Sequence, residues 1–300
     1  MNVRTYSSPL AFKQAIEDRL RSKLKTGGEL ARPRQLLVFY RFLARIVTVL
    51  GDAATLKGGL VLELRLKRAR TTKDIDLRLL GTPDDTLAKL QDAGRRDLGD
   101  FMTFEVRPDS DQPAIQNDGM QYEGLRFRAE CKLAGKLYGR PFGVDVAFGD
   151  PILGEPEIVE VNDLLAFAGI KPLSLRVYPV ATHTAEKLHA YTMPRTRPNS
   201  RTKDLPDLAL LAKAQAIDAR VLRAALEQTF EHRKTHQLPL AFPAPPLAWE
   251  SPYAAMARED QLEWATLADV TVAVRSFLDP VLAGDLDATW SPGTWSWGRQ

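Results

Sequence analysis

The sequence predicts an α+β protein: a mixed sheet with flanking helices, followed by an all-helical C-terminal half, with the boundary near residue 180. Three patterns lead there. Residues 74–79 alternate between apolar Ile75, Leu77 and Leu79 and polar Asp74, Asp76 and Arg78, the period-2 mark of a half-buried strand. Upstream of them, two segments repeat apolar residues at helical spacing. From Ala181 onward the helical period returns and persists.

Taken in order, Ser8-Pro9 reads as a helix cap with proline at the first helical position. Phe12, Ile16, Leu20 and Leu24 then recur every fourth residue until Gly27-Gly28. A second helix follows Pro33, with Leu36, Leu37, Tyr40, Leu43, Val47 and Leu50 on its buried side and Gly51-Asp52 at its end. Ala53 to Lys57 is the first strand candidate, and residues 83–98 read as a helix. Further strands are expected at Met102 to Arg107, Gly124 to Leu133, Phe142 to Phe148, Glu157 to Val161 and Leu173 to Val180. Polar residues 108–121 read as a connecting loop. Helices follow at Thr184 to Tyr191, Lys203 to Ala214, Ala219 to Lys234, 251–264 and 266–282, with a proline-rich linker between the third and fourth. The implied division is a 1–180 α/β domain, with the two N-terminal helices, and a 181–300 helical domain.

At 300 residues and 44% apolar content the chain can bury one large core or two modest ones. A formal net charge of +3 neither demands nor excludes a nucleic-acid partner, so clustering of the basic residues matters more than their number. The single cysteine, Cys131, rules out an intrachain disulfide and sits in the alternating run Leu125, Phe127, Ala129, Cys131, Leu133, as a small core residue does. No apolar stretch reaches the ~20 residues of a membrane helix, and the N-terminus lacks the apolar region of a secretory signal. A soluble, cytoplasmic protein is expected.

Residues 56–80, LKGGLVLELRLKRARTTKDIDLRLL, carry the chemistry. On a strand Asp74 and Asp76 point to one face with Cα atoms about 6.6 Å apart. Two carboxylates so held can share Mg²⁺ or bracket two ions, leaving the remaining positions to water and phosphates. D-x-D alone also fits a solvated strand face. Gly58-Gly59, between a short apolar strand and a helical pattern, lets backbone approach phosphates, or is an ordinary turn. Asp145, flanked by Val144 and Val146, needs a partner: a metal, as a third ligand, or an arginine. In residues 185–211, Lys187 lies in a helix, Arg195, Arg197, Arg201 and Lys203 crowd the following loop, and Asp204 and Asp207 open the next helix. A lysine and a basic loop facing a metal suit a triphosphate or nucleic-acid phosphates.

The segments KGG…TTKDIDL and EKLHA…RTKDLPDLALL, in this order, resemble the AbiEii/AbiGii-type nucleotidyltransferase toxins of the polymerase-β-like superfamily, over roughly residues 35–215. The resemblance implies a polymerase-β-like nucleotidyltransferase fold and an Mg²⁺-dependent transfer of a nucleotide from an NTP to an acceptor, in some members the 3′ end of tRNA. It implies the toxin role in a bacterial toxin–antitoxin or phage-defence pair, hence a cognate antitoxin. By position it assigns metal binding to Asp74 and Asp76, phosphate binding to Gly58, Gly59 and Lys187, and a role at the acceptor hydroxyl to Asp204, with Asp207 beside it. Many superfamily members carry Gly-Ser where this chain has Gly58-Gly59, so the grip on a terminal phosphate passes to backbone, Lys57 or Arg65. Arg197 and Arg201 are expected at the acceptor.

Two other readings stay open: nucleotidyl or phosphoryl transfer to a protein hydroxyl, and a non-catalytic nucleotide- or RNA-binding module. His232 and His236, at i and i+4, have a zinc-like spacing but no third ligand nearby. The run Arg65, Lys67, Arg68, Arg70, Lys73 fits a solvated helix end or an RNA-facing patch. Trp290, Trp295 and Trp297 fit a tail packed on the domain better than a base-stacking platform.

Overall fold

The computed structural model describes residues 5–23, 30–66, 69, 71–111, 113–114, 124–161, 164–196, 199, 201–284 and 286–299. Two helices, α1 (Pro9–Lys23) and α2 (Ala31–Leu50), lead into strand β1 (Ala54–Lys57), the short helix α3 (Gly59–Arg65) and strand β2 (Asp74–Leu79). Then come α4 (Thr86–Arg95), β3 (Met102–Pro108), β4 (Gly124–Leu133), β5 (Lys136–Leu137), β6 (Phe142–Phe148), β7 (Glu157–Val161) and β8 (Leu173–Val177). The rest is α5 (Val180–Thr192), α6 (Asp204–Ala214), β9 (Ile217–Asp218), α7 (Ala219–Arg233), α8 (Glu250–Glu259), α9 (Leu267–Leu282), β10 (Thr289–Ser291) and β11 (Ser296–Gly298). Ser8 caps α1 through Ala11 N–H to Ser8 Oγ at 3.2 Å. Leu24 and the Gly27-Gly28 stop fall outside the described residues.

The main sheet has the order β3-β4-β6-β2-β1-β8-β7, with β5 paired to β4. It is mixed: β2 runs parallel to β6 and β1 parallel to β8, while the other neighbours are antiparallel. The buried apolar residues form two clusters. One runs from Phe12 to Val177, between the sheet and helices α1, α2 and α4. The other runs from Val180 to Trp290 and takes in Leu62 from α3. Helix α3 is thus the joint between the two cores, and the Gly58-Gly59 turn at its start lies where they meet.

Two features depart from the sequence pattern. The second half is helical but also carries a small sheet of order β11-β10-β9. Its strands of two or three residues are too short for periodicity to show. The tryptophans pack there on the helices: Trp290 Nε1 donates to Ala212 O at 2.7 Å, Trp295 Nε1 to Ala273 O at 3.2 Å, and Trp297 Nε1 to Phe277 O at 3.0 Å. Helix α2 is buried on a wider face than its leucine spacing suggests, with Val38, Phe39, Phe42 and Ile46 in the core together with two arginines, Arg41 and Arg45. Asp100, just before β3, explains the arginines. Arg45 Nη2 donates to Asp100 Oδ1 and Arg41 Nε to Asp100 Oδ2, each at 2.6 Å. Cys131 is a core residue, its thiol pushed up to about 12 by burial.

Burial alone would raise the Asp100 carboxyl, but the hydrogen bonds and charge of Arg45, then Arg41, hold it below the ordinary carboxylate value. A depressed folded-state pKa stabilises above the unfolded value and ceases to do so as pH falls through the folded one. Asp100→Ala strands two buried guanidinium groups and is expected to cost about 3–5 kcal/mol in urea unfolding at pH 7. The deficit should shrink in acid, where wild-type Asp100 also loses its charge.

Candidate active site

Strand β2 sets the centre of the site. The parallel register aligns Asp74 with Gly143 and Asp76 with Asp145, so all three carboxylates project from one face of the sheet. Two glycines make room for them. A Cβ on Gly58 would lie 1.9 Å from Asp76 Oδ2, and one on Gly143 would lie 2.6 Å from Asp74 Oδ1. Gly58 also has φ +69° and ψ −162°, a conformation open essentially to glycine alone. Asp74 Oδ1 accepts from the Gly143 N–H at 3.1 Å.

Asp76 and Asp145 line one wall of a cleft of about 240 Å³, with Lys57 and Gly58 from the β1–α3 turn and Arg126 from β4; Asp74 shares their face of the sheet but is not in the lining. Helix α5 forms the facing wall with His183, Glu186, Lys187 and Ala190, a set at i, i+3, i+4 and i+7 that shares one helix face. Arg201, Asp204 and Arg233 complete it. Asp76 makes no hydrogen bond or ion pair among the described residues. Burial, then the charge of Asp145, push its carboxyl up to about 6, against the pull of Lys187 and Lys57.

The expected site residues fare differently. Lys187 lies between Asp204 and Asp207, 2.8 Å from each. Burial lowers its pKa, but the two carboxylates outweigh that and hold it charged. Two of the three N–H donors of its ammonium are therefore committed before a phosphate arrives. Asp207 is fully buried under Lys187, so direct contact with an acceptor gives way to a role in holding the lysine. Asp204 also binds Lys187, yet its Oδ2 is buried without a hydrogen-bond partner, and the cation facing it is Arg201 at 3.9 Å. Asp145 has the arginine partner: Arg126 Nε and Nη2 donate to its two oxygens, each at 2.8 Å. Of the two partners the sequence left open for Asp145, the arginine is present in this structure, and each oxygen keeps a further lone pair. Lys57 lines the cleft but is bound to Asp150 at 2.5 Å and Glu186 at 3.1 Å. Arg65 does not reach the cleft; it donates to Glu157 at 2.7 Å and to Tyr178 O at 3.0 Å. Gly59 is buried as the first residue of α3. Arg197 falls outside the described residues, as do Lys67, Arg68 and Arg70 of the other basic run.

Glu186 and Arg233, which line the cleft, and Asp150, which does not, had no signal in the sequence. Glu186 and Asp150 each bind both Lys57 and Arg233; the Arg233 contacts are 2.9 Å to Glu186 and 3.4 Å to Asp150. Burial pushes Glu186 up, Lys57 opposes it and Asp150 reinforces it; for Asp150, Lys57 and Arg233 outweigh burial and hold the carboxyl low. His236 bonds to Thr192 and Thr235 rather than to a metal partner.

The sequence profile described as "Nucleotidyl transferase AbiEii toxin, Type IV TA system" matches residues 41–291. The chain belongs to this AbiEii family. Among solved structures, it resembles MenT4, a nucleotidyltransferase toxin from Mycobacterium tuberculosis H37Rv, with a TM-score of 0.59 at 16% identity over 94% of this chain and 92% of that one. JHP933 from Helicobacter pylori matches with a TM-score of 0.48 at 13% identity, over 85% of this chain and 94% of that one. At such identity the MenT4 match bears on fold alone. No protein of curated function matches the chain. Membership in the AbiEii family makes the chain a nucleotidyltransferase of the toxin–antitoxin class.

The donor set of this AbiEii chain suits a hard divalent cation: Asp74 and Asp76 share a face, and Asp76 lacks a cationic partner of its own. Among the described residues no three His, Cys, Asp or Glu side chains are already gathered as a metal cluster. No helix of the described residues is long and apolar enough to cross a membrane.

The Asp76 pKa makes a signed prediction. A carboxyl raised in the folded state destabilises it as pH climbs from the unfolded value, near 3.8, through about 6. Asp76→Asn mimics the neutral acid, so in metal-free buffer at pH 7.5 it should unfold about 1–3 kcal/mol harder than wild type. Near pH 4 that advantage should vanish. Gly58→Ala should act oppositely: the new Cβ strains the turn and displaces the Asp76 carboxylate, lowering both melting temperature and turnover.

Proposed function

We propose that the protein transfers a nucleoside monophosphate from an NTP to an RNA acceptor, with the 3′ end of tRNA as the first candidate, in a Mg²⁺-dependent reaction that a cognate antitoxin holds in check. The observation that carries this reading is the cleft itself: Asp76, with Asp74 on the same strand face, in a lining that also holds Lys57, Arg126, Lys187, Arg201 and Arg233. Carboxylates on one strand face beside a cluster of cations suit a ligand that brings its own metal and a large negative charge, as a nucleoside triphosphate does. A volume of about 240 Å³ is small beside the about 300–1,000 Å³ of pockets that enclose drug-sized ligands. It suits the polyphosphate, with the base extending outward.

Asp74 and Asp76 would hold the Mg²⁺, which when bound activates the attacking oxygen and neutralises charge on the polyphosphate. The chain's own residues do the rest. Lys187 and Arg126 orient the phosphates. Arg201 at the mouth meets the acceptor backbone. Asp204 Oδ2, the oxygen not bound to Lys187, takes the proton of the acceptor hydroxyl as that oxygen bonds to the α-phosphorus and pyrophosphate departs. A terminal hydroxyl of RNA and a protein hydroxyl present the same group to this arrangement. Arg201 favours RNA, whose backbone supplies phosphates to pair with it.

The deciding experiment incubates the protein with Mg²⁺, total bacterial RNA and each α-labelled NTP in turn. Label should enter a discrete RNA band and be lost with Asp76→Ala and with Asp74→Asn. Activity in both variants would sink the assignment, and label entering protein alone would move the acceptor to a protein hydroxyl. RNA affinity should fall as salt rises, and Arg201→Ala should lower the slope of log affinity against log salt by about one. An unchanged slope would remove Arg201 from the acceptor contact.

A further inference from the structure

The helix face that α5 turns to the cleft contains one polar group with no partner among the described residues. Glu186 and Lys187 are matched by opposite charges. His183, one turn earlier on that face, is 1% exposed, and neither Nδ1 nor Nε2 has a hydrogen-bond partner among the described residues. Buried donors and acceptors are almost always satisfied, and an unmet pair is costly. Packing does not require an imidazole here, since an apolar side chain of similar size would avoid the cost. The groups facing the ring say what kind of atom would satisfy it. Lys187, Lys57 and Arg65 act on it from α5, β1 and α3, and Asp207 from α6. Cations predominate, so the position favours an anionic oxygen. Burial, then Lys187, push the ring's pKa down to about 3, so the imidazole is neutral and carries one N–H.

We propose that the ring N–H of His183 donates a hydrogen bond to a phosphoryl oxygen of the bound polyphosphate, making His183 a phosphate-binding residue of this cleft. The inference rests on the reading of the cleft as a nucleotide site. Competing donors are occupied: Lys57 is held by Asp150 and Glu186, and Arg65 by Glu157 and Tyr178 O. The Gly58-Gly59 turn carries no side-chain donor. A neutral imidazole can therefore reach a phosphate without first giving up a carboxylate, which Lys187 cannot do with two of its donors.

The probe is inorganic tripolyphosphate with Mg²⁺, which needs no knowledge of the base, titrated calorimetrically into the full chain. His183→Leu should weaken binding about 10- to 100-fold, the range for a hydrogen bond to a charged group. It should melt no lower than wild type, because it removes a buried group that had no partner. His183→Asn, which keeps an N–H donor, should recover most of the affinity. In the transfer reaction the KM for NTP should rise more than kcat falls. Independently of any variant at this position, wild-type protein labelled with 15N-histidine should shift the His183 ring resonances on saturation with tripolyphosphate. These are assigned by elimination from substitutions of His189, His232 and His236, the other histidines of the chain. Equal affinity of wild type and His183→Leu, or His183 resonances that stay put at saturation, overturns the proposal while leaving the nucleotide site intact. Failure of wild type to bind tripolyphosphate at all overturns the nucleotide-site reading, and this inference with it.

Discussion

Asp76 and Asp145 stand side by side because β2 and β6 are parallel and in register, and two carboxylates so placed repel each other. The rest of the site answers that repulsion. Arg126 on β4, across the register from Asp145, neutralises one of the two. Asp76 keeps only a more distant attraction from Lys187 and Lys57. Of these, Lys57 comes from the sheet and Lys187 from a helix of the second core. The carboxylates therefore belong to one half of the chain and much of the countercharge to the other. Helix α3 joins them, since its first residues form the turn against Asp76 while Leu62 is buried in the second core. A shift between the cores would move the lysine wall relative to the carboxylates, so the site requires both.

Buried charge is treated in two ways in this molecule. At Asp100 every strong interaction closes on itself: two guanidinium groups and the Met102 N–H all point at one carboxylate. That cluster fixes α2 on the start of β3 and is far from any cleft residue in sequence and role. In the cleft the matching is left incomplete at Asp76, at Asp204 Oδ2 and at both nitrogens of His183. Incomplete satisfaction costs stability; Asp76, Asp204 and His183 gather it in one cleft, while Arg45 Nε and Arg176 Nε lack a hydrogen-bond partner elsewhere among the described residues. Local violations of an otherwise consistent structure are expected at functional sites.

Whatever depends on local period or local backbone demand was legible in the sequence. The alternation around Asp74 and Asp76 became β2 with the expected faces, and Gly58 occupies a conformation that glycine alone tolerates. The helical positions of Lys187 and Asp204 followed from spacing in the same way. Pairing across long stretches of chain was not legible. Nothing near Asp145 in sequence marks Arg126 as its cross-strand neighbour. Nothing near Lys57 marks Asp150, Glu186 and Arg233, which come from three later points of the chain, as the rest of its network. Arg65 failed for the same reason, since its orientation is set by Glu157 on an edge strand. His183 looked like any helical residue, because absence of a partner is a property of the fold alone.

The arrangement around Lys187 bears on how binding and proton transfer could be linked. The ammonium has Asp204 on one side and the fully buried Asp207 on the other. A polyphosphate entering the cleft competes for the ammonium, and the two carboxylates differ in what they can give up. Asp207 has no route to solvent and stays with the lysine, keeping it charged. Asp204 faces the cleft with Oδ2 already unpartnered among the described residues, so it is the carboxylate that can share Lys187 with a phosphate. On the proposed reading the nucleotide, in binding Lys187, thus draws it from the group that must receive the acceptor's proton. This coupling requires both aspartates: a single carboxylate could not hold the lysine in place and release it to phosphate at the same time.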